Sequence, residues 1–102
     1  GNDKTEITLS TAGGHLLGNV NRWRGQVELS PWSADELGAQ KKTLIGQGYV
    51  ADYVQLMGPT KAILGAIINH QDRTWFVKLT GPKETAEEER QNFEDFVKTI
   101  EF

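Results

Sequence analysis

The 102-residue sequence contains no cysteine. Thiol catalysis, disulfide bonds and cysteine-ligated zinc are therefore excluded, whereas either side of a membrane remains compatible with this composition. The only two histidines, His15 and His70, lie far apart and lack the helical spacing of a metal-binding pair. We accordingly expect neither a metal site nor a cofactor.

Long apolar runs and an excess of basic residues are also lacking. The longest apolar run, residues 62–68, spans seven residues with a glycine inside it, whereas a membrane-spanning helix needs about 20. The formal net charge of -3 argues against a dedicated nucleic-acid-binding protein. Because the chain begins with Gly1 instead of methionine, we expect that Gly1 remains from a removed tag and that the natural precursor is longer. Membrane attachment is expected only through a removed lipid anchor.

The size and the hydrophobic content predict one globular domain over residues 1–102. A chain of this length can build one hydrophobic core but not two. Its 37% hydrophobic and 25% charged residues are ordinary for a globular protein.

The segment 13–29, GGHLLGNVNRWRGQVEL, has the clearest helical pattern. Four apolar residues recur at steps of four, three and four and so share one side of a helix: Leu16, Val20, Trp23 and Val27. Planar hydrogen-bonding groups occupy the rest of the surface: Asn19, Asn21, Arg22, Arg24 and Gln26. These groups either bind a ligand or fix the helix to neighbouring loops. Gly18 and Gly25 indicate either a bent helix end at Gly25 or the close approach of another backbone.

Two capping boxes predict two further helices. Ser33 and Glu36 have the spacing of reciprocal cap hydrogen bonds, which predicts a short surface helix to about Lys42. Thr85 and Glu88 repeat this spacing before the closing helix. The predicted buried stripe of that closing helix consists of Phe93, Phe96, Val97 and Ile100.

Four strand-like segments complete the pattern, at residues 6–11, 49–57, 61–69 and 74–80. The third is apolar on both sides, which is typical of a strand covered on both faces. Its Gly65 indicates either a bulge or close contact with a helix. We therefore predict an α+β fold of order β-α-α-β-β-β-α, with a mainly antiparallel sheet of about four strands and helices on both faces.

No catalytic constellation can be identified. The carboxylates form no spaced pair that the sequence places in one cleft, and no serine has nucleophile-elbow flanks. Trp23 and Trp75 are expected in the core, while Trp32, after Pro31, is expected to be partly exposed. The candidate ligand- or partner-binding residues are Asn19, Asn21, Arg22, Arg24, Trp32 and Lys78.

Two motifs, NVNRWRGQ at residues 19–26 and WFVKLTGP at residues 75–82, resemble those of a family of small exported bacterial proteins, often described as lipoproteins. ILGAII and the terminal FEDFVKTIEF extend the resemblance over nearly all of the chain. It implies an architecture similar to the PsbP/Mog1 type of α/β sandwich and a location in the periplasm or on the outer face of the membrane. Family members carry further residues before the equivalent of Ile7, including one or two strands. This implies an open sheet edge at Glu6–Thr11, which either a homodimer or a partner segment fills or the covering helix or a loop shields within one chain.

The functional expectation is a non-enzymatic, extracytoplasmic binding or scaffold protein with an unknown protein or small-molecule partner. The alternative is a small hydrolase or lyase that uses Arg22 or Arg24 with a carboxylate. A deep pocket lined by Arg24 and a carboxyl group of raised pKa favours this alternative.

Overall fold

The structure, a computed structural model, describes residues 5–11, 16–70 and 73–100, with the backbone alone at residues 9–11. It confirms the α+β class and the helices on both faces, but the sheet has five strands instead of about four. The elements in chain order are β1 (Glu6–Thr11), α1 (Leu16–Gln26), α2 (Ala34–Gln40), β2 (Lys42–Ile45), β3 (Val50–Met57), β4 (Lys61–His70), β5 (Arg73–Pro82) and α3 (Lys83–Lys98).

The strand order in the sheet is β1-β5-β4-β3-β2, and all neighbouring strands are antiparallel. β3, β4 and β5 are neighbours in the sheet in chain order, whereas β1 pairs with β5, with Glu6 opposite Thr80. Since β1 and β2 each pair with one strand only, they form the two edges of the sheet.

The two faces of the sheet bury separate hydrophobic clusters. α1 and α2 cover one face, where Val20 and Trp23 pack on alternate residues of β3 and β4. α3 covers the other face, where Phe93 and Val97 pack on the intervening residues. Residues 62–68 of β4 are all buried, as their two-sided apolar pattern predicts.

The strand absent from the sequence prediction is β2. The short helix ends at Gln40, and Lys41 caps it in an extended conformation, so the predicted end at about Lys42 is wrong. Leu44 is the only buried residue of the four in β2, which leaves too little alternation to identify a strand. Its pairing with β3, Leu44 opposite Ala51, makes it a strand.

The first predicted capping box is confirmed and the second is wrong. The Glu36 amide donates to the Ser33 hydroxyl at 3.2 Å, and the Ser33 amide donates to the Glu36 carboxylate at 3.1 Å. α3 instead begins at Lys83, directly after β5, so Thr85 lies inside its first turn. The Lys83 amide donates to the Thr60 carbonyl at 3.0 Å, which anchors this earlier start to the β3–β4 turn.

The predicted stripe of α3 is narrower than expected. Phe93 and Val97 are buried and Ile100 packs partly against the same cluster, but Phe96 is 46% exposed. One residue corresponds to about 100° of rotation around a helix, so Phe96 turns away from the sheet when Val97 faces it.

Candidate functional site

Trp23 anchors α1 in the core. Its side chain is 2% exposed, and its ring meets Phe76 edge-on at a centroid distance of 5.6 Å. The ring also lies on Gly65, where a Cβ atom would fall 2.3 Å from Trp23 Cζ3. Of the two interpretations of Gly65, close contact with a helix is therefore confirmed, and Trp23 is a packing residue.

No backbone among the described residues closely approaches Gly25. A Cβ atom built there meets nothing within 4 Å, so the prediction of a close approach is wrong at this position. α1 ends one residue later, at Gln26, and the chain then turns through Glu28, which has a φ of 62°. The alternative of a bent helix end accounts for this glycine.

The polar side chains of α1 bind the loop that follows the helix. The Asn21 amide donates to the Trp32 carbonyl at 3.0 Å and accepts from the Trp32 amide at 2.7 Å. Arg24 donates through Nε to the Ser30 carbonyl at 2.5 Å, and its guanidinium lies 4.1 Å from the centre of the half-buried Trp32 ring. Burial lowers the pKa of Arg24, although the nearby Glu36 carboxylate opposes this shift. We call this group of Asn21, Arg24 and Trp32 the loop clamp.

Lys78 brings the second sequence motif against the first. Its ammonium group donates to Gln26 Oε1 at 2.6 Å and lies 5.7 Å from the centre of the Trp23 ring. Burial and the positive charge of Arg22 lower the pKa of Lys78. Arg22 is exposed and forms no hydrogen bond or ion pair with the described residues, while Asn19 is buried.

Four of the six predicted binding residues thus lie in two separate places in the described structure, and Asn19 and Arg22 belong to neither. Asn21, Arg24 and Trp32 form the loop clamp, and Lys78 links β5 to the end of α1. The carboxylate that acts on Arg24 is that of Glu36, and its pKa is lowered by hydrogen bonds from Ser33. This pairing does not supply the carboxyl group of raised pKa that the hydrolase or lyase alternative requires.

A different group of polar residues surrounds a cavity on the α3 side of the sheet. The cavity has a volume of about 200 Å³, and we call it the Tyr53 cavity; it is lined by Gln40, Lys42, Tyr53 and Gln55. Lys42 lies directly opposite Tyr53 in the β2–β3 register. Gln55 follows two residues later on β3, so its side chain points to the same face.

Two buried polar atoms of this cavity have no hydrogen-bond partner of ordinary geometry among the described residues. They are the Tyr53 hydroxyl and the Gln55 amide nitrogen. Tyr53 is 0% exposed, and its ring stacks on Phe93 with the centroids 6.0 Å apart. Burial, followed by the negative charge of Glu94, raises the pKa of Tyr53, and the side chains of Gln55 and Glu94 both lie near enough to its hydroxyl to influence this pKa, although neither is within ordinary hydrogen-bond geometry. The hydroxyl consequently stays protonated at neutral pH and is available as a donor.

The charged groups around the Tyr53 cavity have both signs. Lys42 is exposed at the rim of the cavity and forms no ion pair with the described residues. The neighbouring Lys41 forms an ion pair with Asp52 at 3.1 Å. Arg90 and Glu94, four residues apart on α3, both act electrostatically on Tyr53. Of Lys42, Arg90 and Glu94, Lys42 lines the cavity, and the influence of Glu94 on Tyr53 exceeds that of Arg90.

The sequence contained one signal for this site. Tyr53, Gln55 and Met57 alternate along one face of β3, and Gln55 places an amide where the pattern calls for an apolar side chain. The involvement of Lys42 was not predictable without β2. Within the described residues, no group of three or more acidic or histidine side chains is arranged for a metal ion, and no helix is long and apolar enough to span a membrane.

Comparisons with known proteins identify no relative. No protein-family model matches the sequence, and no match is found among curated proteins or solved structures.

Proposed function

We propose that this protein is a non-enzymatic binding protein and that the Tyr53 cavity is its ligand site. The observation that carries the proposal is the pair of buried atoms without partners, the Tyr53 hydroxyl and the Gln55 amide nitrogen. A buried polar group that lacks a partner costs about 1–3 kcal/mol. A ligand that satisfies both groups recovers this free energy on binding, which gives the cavity a reason to be occupied.

The loop clamp is a less suitable site, because its polar groups already have partners. Asn21 uses both amide functions on the Trp32 backbone, and Arg24 is committed to the Ser30 carbonyl and the Trp32 ring. A ligand at this position would have to displace these contacts, which makes binding less favourable.

We place the protein outside the cytoplasm, in the periplasm or on the outer face of a bacterial membrane, held by a lipid anchor beyond the given sequence. This part of the proposal rests on the resemblance to the exported family with a PsbP/Mog1-like sandwich. Cell fractionation of the natural precursor tests it: recovery in the envelope fraction supports the location, and recovery with the cytosol overturns it.

A thermal-shift screen against small polar compounds tests the ligand site. We expect at least one class of compound to raise the melting temperature of the wild type and to lose most of this effect on Tyr53→Phe. This substitution removes the hydroxyl while keeping the ring that stacks on Phe93.

Tyr49→Phe is the matched control. It also removes a buried tyrosine hydroxyl, one that donates to the Val97 carbonyl and does not line the Tyr53 cavity. It should lower the melting temperature but leave the ligand-induced shift intact. A library without any effect, or equal shifts for wild type and Tyr53→Phe, overturns the proposal.

A further inference from the structure

We infer that the Tyr53 cavity binds the carboxylate group of a small organic monoanion. The inference rests on the proposed function and adds the chemical class of the ligand. Its first basis is that the Tyr53 hydroxyl and the Gln55 amide nitrogen are buried, have no hydrogen bond of ordinary geometry among the described residues, and belong to two residues that line the same cavity.

Both of these groups can donate a hydrogen bond to an acceptor on a ligand. The amide nitrogen is a donor only, and the tyrosine hydroxyl has one proton to donate. They lie on side chains two residues apart on one face of β3. A carboxylate offers two oxygens with about four lone-pair sites, so it can accept from both donors at once. Hydrogen bonds to an ionised acceptor are also shorter and stronger than those to a neutral one.

The charges around the cavity favour an anion of single charge. Lys42 lines the cavity from the neighbouring strand, and it faces Tyr53 directly in the register. On the α3 side, Glu94 and Arg90 act on Tyr53 with opposite signs, Glu94 the more strongly, and neither of them lines the cavity. The single positive charge of Lys42 compensates one carboxylate. A dianion would leave one charge uncompensated beside Glu94, and an ammonium ligand would face two donors that it cannot satisfy.

The volume limits the size of the ligand. About 200 Å³ lies below the 300–1,000 Å³ that is usual for pockets that hold drug-sized molecules. A short-chain carboxylic acid fits this space, and propionate is a suitable probe. Propionamide has nearly the same shape without the charge, and propylamine reverses the charge.

The test is an NMR titration of the 15N-labelled protein with these three compounds, at low ionic strength in a buffer free of carboxylates. We expect propionate to shift the Tyr53 and Gln55 backbone resonances with saturation. Propionamide should bind at least about tenfold more weakly, and propylamine should not bind.

Three variants assign the binding to the named groups. Tyr53→Phe and Gln55→Leu should each weaken propionate binding about tenfold or more, because each removes a donor to a charged acceptor. Lys42→Met should weaken propionate without weakening propionamide, since it removes only the charge. Lys61→Met is the matched control: Lys61 is likewise exposed at the start of a strand, and it does not line the cavity.

The outcomes separate this inference from the proposed function. Equal or tighter binding of propionamide, binding of propylamine, or propionate binding that survives both Tyr53→Phe and Lys42→Met overturns the inference. If a compound of another class then binds in a Tyr53-dependent manner, the proposed function stands while the carboxylate assignment fails. If no compound binds in that manner, both fail. Lys42 is exposed on an edge strand, so Lys42→Met should fold normally. Its effect on propionate binding can therefore be measured even if Tyr53→Phe does not fold.

Discussion

Truncation of Trp23 should remove the main anchor between α1 and the sheet. The side chain is 2% exposed, lies on Gly65 and contacts Phe76 edge-on. Replacing a buried tryptophan with alanine costs about 3–5 kcal/mol when the surrounding structure cannot collapse into the space. We expect the loss of stability in Trp23→Ala to fall in this range, because the Trp23 side chain packs on β4 and β5, which are paired with each other inside the sheet.

Gly65 provides a second measurement of the same contact. An alanine Cβ at this position would lie 2.3 Å from Trp23 Cζ3 and 2.9 Å from Trp23 Cε3, so the indole must move. Overpacking of this kind costs about 1–3 kcal/mol. In the Trp23→Ala background the clash is absent and the new methyl group fills part of the space. The double variant should therefore lose about 1–3 kcal/mol less than the sum of the single losses.

Urea unfolding followed by far-UV circular dichroism measures all four members of this cycle without depending on the tryptophan signal. Gly25→Ala is the matched control, since a Cβ there meets nothing within 4 Å. It should stabilise α1 by up to about 1 kcal/mol, the helix-propensity difference. A loss below about 1 kcal/mol for Trp23→Ala, or losses that add within about 0.5 kcal/mol, would refute the proposed packing.

Three further perturbations address the loop clamp, the cap of α2 and the edge of the sheet. Asn21→Ala should cost about 1–3 kcal/mol in urea unfolding, because it leaves the partly buried Trp32 amide and carbonyl unpaired. Ser33→Ala should cost about 0.5–2 kcal/mol in the same assay. The lowered pKa of Glu36 means that its stabilising contribution is complete above the unfolded-state pKa and is lost as the pH falls through the folded-state value. Ser33→Ala should flatten this acid dependence only in part, because the hydrogen bond from the backbone amide of residue 33, the larger cause of the lowered pKa, remains. Light scattering should detect a homodimer paired through Glu6–Thr11, and Ile7→Lys should dissociate it, since a charge on an edge strand opposes pairing.

Each of these expectations has a contradicting result. Asn92→Ala, at an exposed asparagine of α3, is the control for Asn21→Ala and should change the free energy of unfolding by less than about 0.5 kcal/mol. An equally small effect of Asn21→Ala would show that the loop clamp does not stabilise the fold. An acid profile that is unchanged in Ser33→Ala would show that the Ser33 hydroxyl does not contribute to the lowered pKa of Glu36. A monomer at millimolar protein concentration would exclude the edge-paired dimer.

The helices and strands with a strong apolar periodicity were predictable from sequence, because their pattern of apolar residues shows directly which faces are buried. The apolar steps in α1 and the continuous apolar run in β4 specify which faces meet the core, and both are buried as expected. β2 contains a single buried residue, and its existence depends on pairing with β3. The start of α3 depends on the contact of Lys83 with the Thr60 carbonyl, which overrides the local capping signal.

The Tyr53 cavity was beyond sequence reasoning for the same reason. Its walls come from residues that the register of an unrecognised strand brings together, and Arg90 and Glu94 join them only through the packing of α3. Whether a buried hydroxyl has a partner is a property of the tertiary arrangement and not of the residue type.

The density of polar groups in NVNRWRGQ is explained by the loop that follows α1. Residues 27–33 leave the helix through Glu28 at positive φ and must reach α2 without sheet or helix hydrogen bonds. Their carbonyl and amide groups need partners when partly buried, and the Asn21 amide and the Arg24 guanidinium supply them at Trp32 and Ser30. Planar groups suit this task because each can form more than one bond in a fixed geometry. Asn21 and Arg24 are thus used by the fold, whereas the two buried polar atoms that have no hydrogen-bond partner among the described residues lie on the opposite face of the sheet.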